Sequence, residues 1–295
     1  MMWHKPWTIK EGLAIGAGLI LTGLMLELSV GPFVWNALRW PLNVILLSVY
    51  LGLLLLAHFV RNQLYIFRFL STYAAAISAL VYCVLLTIVM GLTRQQVEGR
   101  WFNDMLSFWP FVLSYIQLTT VLGLTILRRL STFRPSFVNI RFLLFHLGLF
   151  IALVAGTLGN ADMQRLKMVT TYHTSEWRAL DERQSVVELP IAIELQHFIM
   201  ETYDDGSPRR FASDILLITE SGKCVKATVD VNKPVEVEGW EIYQYGYDMA
   251  AGPTSQISIF ELVRDPWLPV VYVGIGMLLL GAVCLFLNRT QRKTL

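Results

Sequence analysis

Two histidines fall inside long apolar runs. His146 sits in Arg141-Phe142-Leu143-Leu144-Phe145-His146-Leu147-Gly148, and His58 lies just before Arg61. Ionisable groups in such runs are costly, and where they persist they usually face a partner, a cavity or a cofactor. An imidazole nitrogen can bind haem iron axially, and Gly148 beside His146 removes bulk that would obstruct a flat ring. His58, close to the end of its run, is the lesser candidate. On spacing alone, a hydrogen bond to a neighbouring helix is the simpler use of either imidazole.

Elsewhere the reactive side chains form no catalytic set. His173 and His197 have no nucleophile pattern near them and no metal-ligand spacing such as His-x-x-x-His. His197 continues the odd-numbered positions Leu189, Ile191, Ile193 and Leu195 and is expected to be packed and hydrogen-bonded. Asp204 and Asp205 belong to a turn. Cys83 and Cys284 lie in apolar runs, Cys224 stands alone, and the absence of a Cys-x-x-Cys pair disfavours thiol–disulfide exchange. No catalytic or metal-ligating residue is assigned.

The elements that would position these groups are membrane helices. Of the 295 residues 55% are hydrophobic, and apolar runs occur at 12–28, 41–60, 72–92, 109–127, 140–158 and 267–287. Each is close to the roughly 20 residues that cross a bilayer, and helices satisfy their own backbone groups there. Gly12 and Gly16 form a Gly-x-x-x-Gly pair suited to close helix contact. Six spans place both termini on one side. That side carries Lys5, Lys10, Arg61, Arg68, Arg128, Arg129, Arg134, Arg141, Arg289, Arg292 and Lys293, against Arg39, Arg94 and Arg100 opposite. Positive loops stay cytoplasmic, so the termini are expected inside and residues 159–266 outside.

That inserted block is expected to be β-rich. Positions 189–195 and 225–231 alternate with a period of two, and runs at 213–219, 240–247 and 256–263 are separated by turn-forming residues. A small antiparallel sandwich or open barrel is predicted, with residues 160–187 read as a helical or irregular connector. The block holds ten Lys and Arg against eighteen Asp and Glu, a net −8, while the remainder is +10. Nucleic acid is therefore disfavoured, and a basic protein partner is one use of the acidic surface beside plain solubility.

Several short motifs carry a resemblance. They are Glu188-Leu189-Pro190, Phe211-Ala212-Ser213-Asp214, Val231-Asn232-Lys233-Pro234, Gly239 followed by Ile242-Tyr243-Gln244, and Arg264-Asp265-Pro266. Gly91-Leu92-Thr93-Arg94-Gln95, Leu127-Arg128-Arg129-Leu130 and His146-Leu147-Gly148 precede them in order. Over residues 72–290 the chain resembles the ResB, or CcsB, family of cytochrome c biogenesis membrane proteins. The resemblance implies an α-helical multi-pass membrane protein with an inserted extracytoplasmic all-β domain, in the bacterial inner membrane. It also implies a CcsA-type membrane partner, apocytochrome c as client, haem as a transient or shared cofactor, and His146 as its ligand.

The expected organisation is a two-span extension at 1–71, a three-span ResB-like region at 72–158, the β-rich domain at 159–266 and a final span with tail at 267–295. No Trp-Gly-x-x-Trp segment occurs and no CcsA-like half follows residue 290, so the chain is expected to be an accessory half of a synthase. Two other classes remain open. One is a non-enzymatic scaffold that docks exported proteins, and the other is a b-type electron carrier in which His58 and His146 face one another.

Overall fold

A computed structural model describes residues 3–96, 99, 101–205 and 207–291; Arg100, Gly206, Arg292 and Lys293 lie outside the described residues. The chain divides into two compact units, residues 1–162 with 267–295, and residues 163–266.

The first unit is helical. Its elements are α1 (Ile9–Ser29), α2 (Leu42–Val60), a short α3 (Tyr65–Leu70), α4 (Tyr73–Leu92), α5 (Trp109–Ser131), α6 (Phe137–Gly159) and α7 (Leu268–Gln291). Among the described residues six helices, all but α3, are long and apolar enough to cross a membrane. The chain is an α-helical multi-pass membrane protein with an inserted β unit.

Small residues set the helix contacts. A side chain at Gly12 would collide with Ser78, and one at Gly16 with Tyr82, so the Gly-x-x-x-Gly pair seats α1 on α4. The Ser78 and Tyr82 hydroxyls then donate to the Ile9 and Leu13 carbonyls, at 3.2 and 2.8 Å. Where α6 meets α7, a Cβ on Gly148 would lie 2.7 Å from the Gly274 carbonyl oxygen, and one on Gly274 2.7 Å from the Ala152 nitrogen. Gly148 is thus consumed by helix packing. It does not clear space for a flat ring, contrary to the sequence-based expectation.

The second unit is one antiparallel eight-stranded sheet. Its strands are β1 (Gln164–Thr171), β2 (Ser175–Leu180), β3 (Val186–Thr202), β4 (Pro208–Thr219), β5 (Cys224–Asp230), β6 (Val235–Val237), β7 (Trp240–Tyr247) and β8 (Ile257–Arg264). The order β5-β4-β3-β2-β1-β8-β7-β6 makes every pair of consecutive strands neighbours except β5 and β6, and β8 closes on β1. The result is an up-and-down barrel with one seam. Ser213 of β4 and Ser258 of β8 are four positions apart in the sheet, yet their hydroxyls lie 2.6 Å apart across the interior, which requires the sheet to curl. One apolar core runs through it, including Met168, Ile193, Leu217, Val229, Ile242 and Phe260.

Two expectations fail here. Residues 160–187 are not a connector, since they supply β1 and β2, and β1 pairs with β8 along its whole length. His197 is exposed, not packed. A β-bulge between Leu195 and His197 inserts Gln196 without a partner, which reverses the alternation and turns Phe198 inward.

Candidate functional site

His146 is carried by α6, nine residues past its first residue and about 13 Å along the axis. Ser136 caps the helix by accepting from the Asn139 amide at 3.3 Å. The imidazole is half-buried. Its Nδ1 lies 2.9 Å from the Phe142 carbonyl oxygen one turn back, and its ring stacks on the Phe142 ring with centroids 3.7 Å apart and planes 16° from parallel. A carbonyl only accepts, so Nδ1 is the donor, which in the neutral ring leaves the lone pair on Nε2. Among the described residues Nε2 has no hydrogen-bond partner.

Beyond Phe142 stands Arg129 of α5, its guanidinium carbon 5.1 Å from the ring centroid. The Arg129 Nε is buried and meets no acceptor among the described residues. A free imidazole lone pair and a buried guanidinium donor thus flank one aromatic ring. The first is suited to a metal centre and the second to a carboxylate.

His58 is placed differently. Both of its ring nitrogens face the same Arg61 Nη1, at 2.8 and 2.9 Å, and its ring meets Phe59 edge-on. The residues recorded against His58 are on its own helix and the turn after it, and those against His146 are on α6, so no contact joins the two. In the barrel, His173 and His197 are exposed and stand 4.0 Å from carboxylate oxygens of Glu194 and Asp214. A cleft of about 510 Å³ beside Thr171, Tyr172, Asp248 and Gln256 is lined by a single carboxylate, with hydroxyl and amide groups around it.

A polar knot went unread in the sequence. Asp162, just past α6, accepts hydrogen bonds from the Trp40 amide, the Asn43 side chain and the Trp267 indole, each 2.7 Å long. Desolvation favours its neutral form, but these bonds outweigh it and hold its carboxyl below the usual carboxylate range. Asn43, fully buried, also donates to the Leu158 carbonyl at 3.3 Å. The knot ties the start of α2 to both points where the chain leaves and re-enters the helical unit. An Asn at a span boundary was its single sequence signal.

Residues 129–256 match the ResB-like family. A 132-residue segment is 25% identical to the cytochrome c biogenesis protein CcsB of Prochlorococcus marinus strain NATL1A, and equally to that of strain NATL2A. That segment is 45% of this chain and 30% of each relative, so the match spans under a third of the relatives' length. The solved cytochrome c heme lyase CcmF aligns over 95% of this chain and 46% of its own, with a TM-score of 0.40 and 15% identity, too distant for residue correspondences. The chain therefore carries a ResB-like region, running from the end of α5 through α6 and most of the barrel.

Proposed function

We propose that the chain is a membrane subunit of a cytochrome c maturation complex, assisting haem delivery across the bacterial inner membrane and attachment to apocytochrome c with a CcsA-type partner. The observation that carries this reading is the extent of the ResB-like match. It includes His146, Arg129 and most of the barrel, and it leaves His58 outside.

The residues fit the group. His146, whose Nδ1 donates to the Phe142 carbonyl, would hold the group through Nε2, and Arg129 would supply a counter-charge for one of its carboxylates. Haem, when bound, supplies the vinyl carbons to which apocytochrome thiols add. The chain's own part would be to hold and orient the group through His146 and Arg129. The half-buried position of His146 on α6 would leave the group within reach of a partner subunit. His58, set against Arg61, is the lesser candidate.

The distribution of basic residues supports cytoplasmic termini and an outer barrel. An outward block of net charge −8 over residues 159–266 suits a basic client better than an acidic one. In a bacterium lacking its own maturation system, the chain alone is expected to yield no cytochrome c, and addition of a CcsA-type protein to restore it. The co-purified complex should show a haem absorption spectrum. Assembly by the single chain, or a functional complex free of haem, would overturn the reading.

A further inference from the structure

Four cations, Lys5, Arg61, Arg68 and Arg128, line one cleft of about 830 Å³ at the shared end of α1, α2, α4 and α5. No acidic residue lines it, and among the described residues none of the four forms an ion pair. Three are held in place. Arg128 Nη1 donates to the Ser71 carbonyl at 3.0 Å, Arg61 Nη2 reaches the Ser131 hydroxyl at 3.5 Å, and the Lys5 ammonium stands 4.7 Å from the Tyr65 ring centroid. Arg68 is exposed.

Like charges gathered at one cleft repel, and an anion between them relieves that repulsion. The cleft sits where several spans end, which is the depth of lipid headgroups, and lipid phosphates are abundant anions there. Pro6, Tyr65 and Phe69 add apolar surface to its lining. His146 does not line it, so it is separate from the candidate ligand above. We propose that this cleft binds the phosphate headgroup of an anionic lipid and anchors the ends of these spans to it.

The test uses the full chain in nanodiscs of phosphatidylcholine with a minority of phosphatidylglycerol, the lipids retained on extraction being counted by native mass spectrometry. Phosphatidylglycerol should be enriched well above its share, and Lys5→Gln with Arg68→Gln should lower its affinity roughly tenfold or more. Arg209→Gln with Lys223→Gln, which removes the same charge from the barrel, should leave it unchanged. Lack of enrichment in the unaltered chain overturns the proposal whether or not the variant folds. So does an equal loss in the barrel control. Displacement of the bound lipid by millimolar inorganic phosphate, or by haem at stoichiometric amounts, would assign the cleft to that anion instead and equally overturn it.

Discussion

In the barrel, Ile193, Leu195, Leu217, Ile242 and Phe260 point inward and are fully buried, and the exposed strand positions are mostly polar. In the helical unit Leu21, Met25, Leu53, Leu85 and Leu279 face outward, while Glu11, Glu27, Asn43, Ser78, Ser114 and Gln117 are buried. Water drives the first arrangement by the hydrophobic effect. Lipid removes that drive between helices and leaves close packing and hydrogen bonds to hold them. Glu27, for example, accepts from the Trp109 amide at the start of α5 at 3.2 Å, and Gly23 lets α1 approach the Pro110 backbone. In the barrel the histidines are surface residues, whereas among the helices a polar side chain holds a structural or functional place, which is why His146 outranks His197.

The largest effect that tests this contrast is excision. Residues 163–266 expressed alone should give β-rich circular dichroism and cooperative unfolding. Residues 185–264 lack β1 and β2 and with them the strand that pairs β8, so they should stay unfolded. A folded 185–264 would show that closure of the barrel does not matter. Within the full chain, Phe260→Ala should destabilise the barrel by about 3–5 kcal/mol, and Leu53→Ala on a lipid-facing surface should change stability by less than about 0.5 kcal/mol. Gly148→Val should cost about 1–3 kcal/mol or more by forcing α6 from α7, seen as a lowered unfolding midpoint in detergent.

Asp162→Asn should have a smaller, pH-dependent effect. Because the folded state holds this carboxyl below its usual value, its contribution is complete above about pH 4 and fades as the pH falls through the lowered value. The unaltered chain should lose that increment on acidification while the Asn variant shows none of the loss. A parallel decline in both would remove Asp162 as the cause. Smallest of all, His197→Ala should change barrel stability by less than about 0.5 kcal/mol, whereas a packed histidine would cost several times that.

Much of this contrast was legible from the residues alone. Apolar run length located all six spans to within a few residues, because the bilayer imposes a length that any sequence must meet. Two-residue alternation found β3 and β5, and runs bounded by turn residues found β4, β7 and β8. Alternation missed β1, where the third inward position is Thr170, a polar residue satisfied by the Ser258 carbonyl of the neighbouring strand at 3.1 Å. It missed β2 because Ala179 is that strand's one buried residue. The bulge at Gln196 adds one residue and inverts the phase, which no period count detects. The knot at Asp162 and the glycine contact at Gly148 join positions more than a hundred residues apart, and pairwise geometry of that kind is absent from local pattern.

The proposed role turns on His146 as a haem ligand held ready by Phe142. The direct measurement is the haem content of the complex purified with a CcsA-type partner, together with cytochrome c yield, for the unaltered chain and for His146→Ala at equal membrane accumulation. Haem and yield should both fall severalfold in His146→Ala, and added imidazole should restore part of each by standing in for the missing side chain. Normal haem content and normal yield in His146→Ala would contradict the account and return this histidine to helix packing.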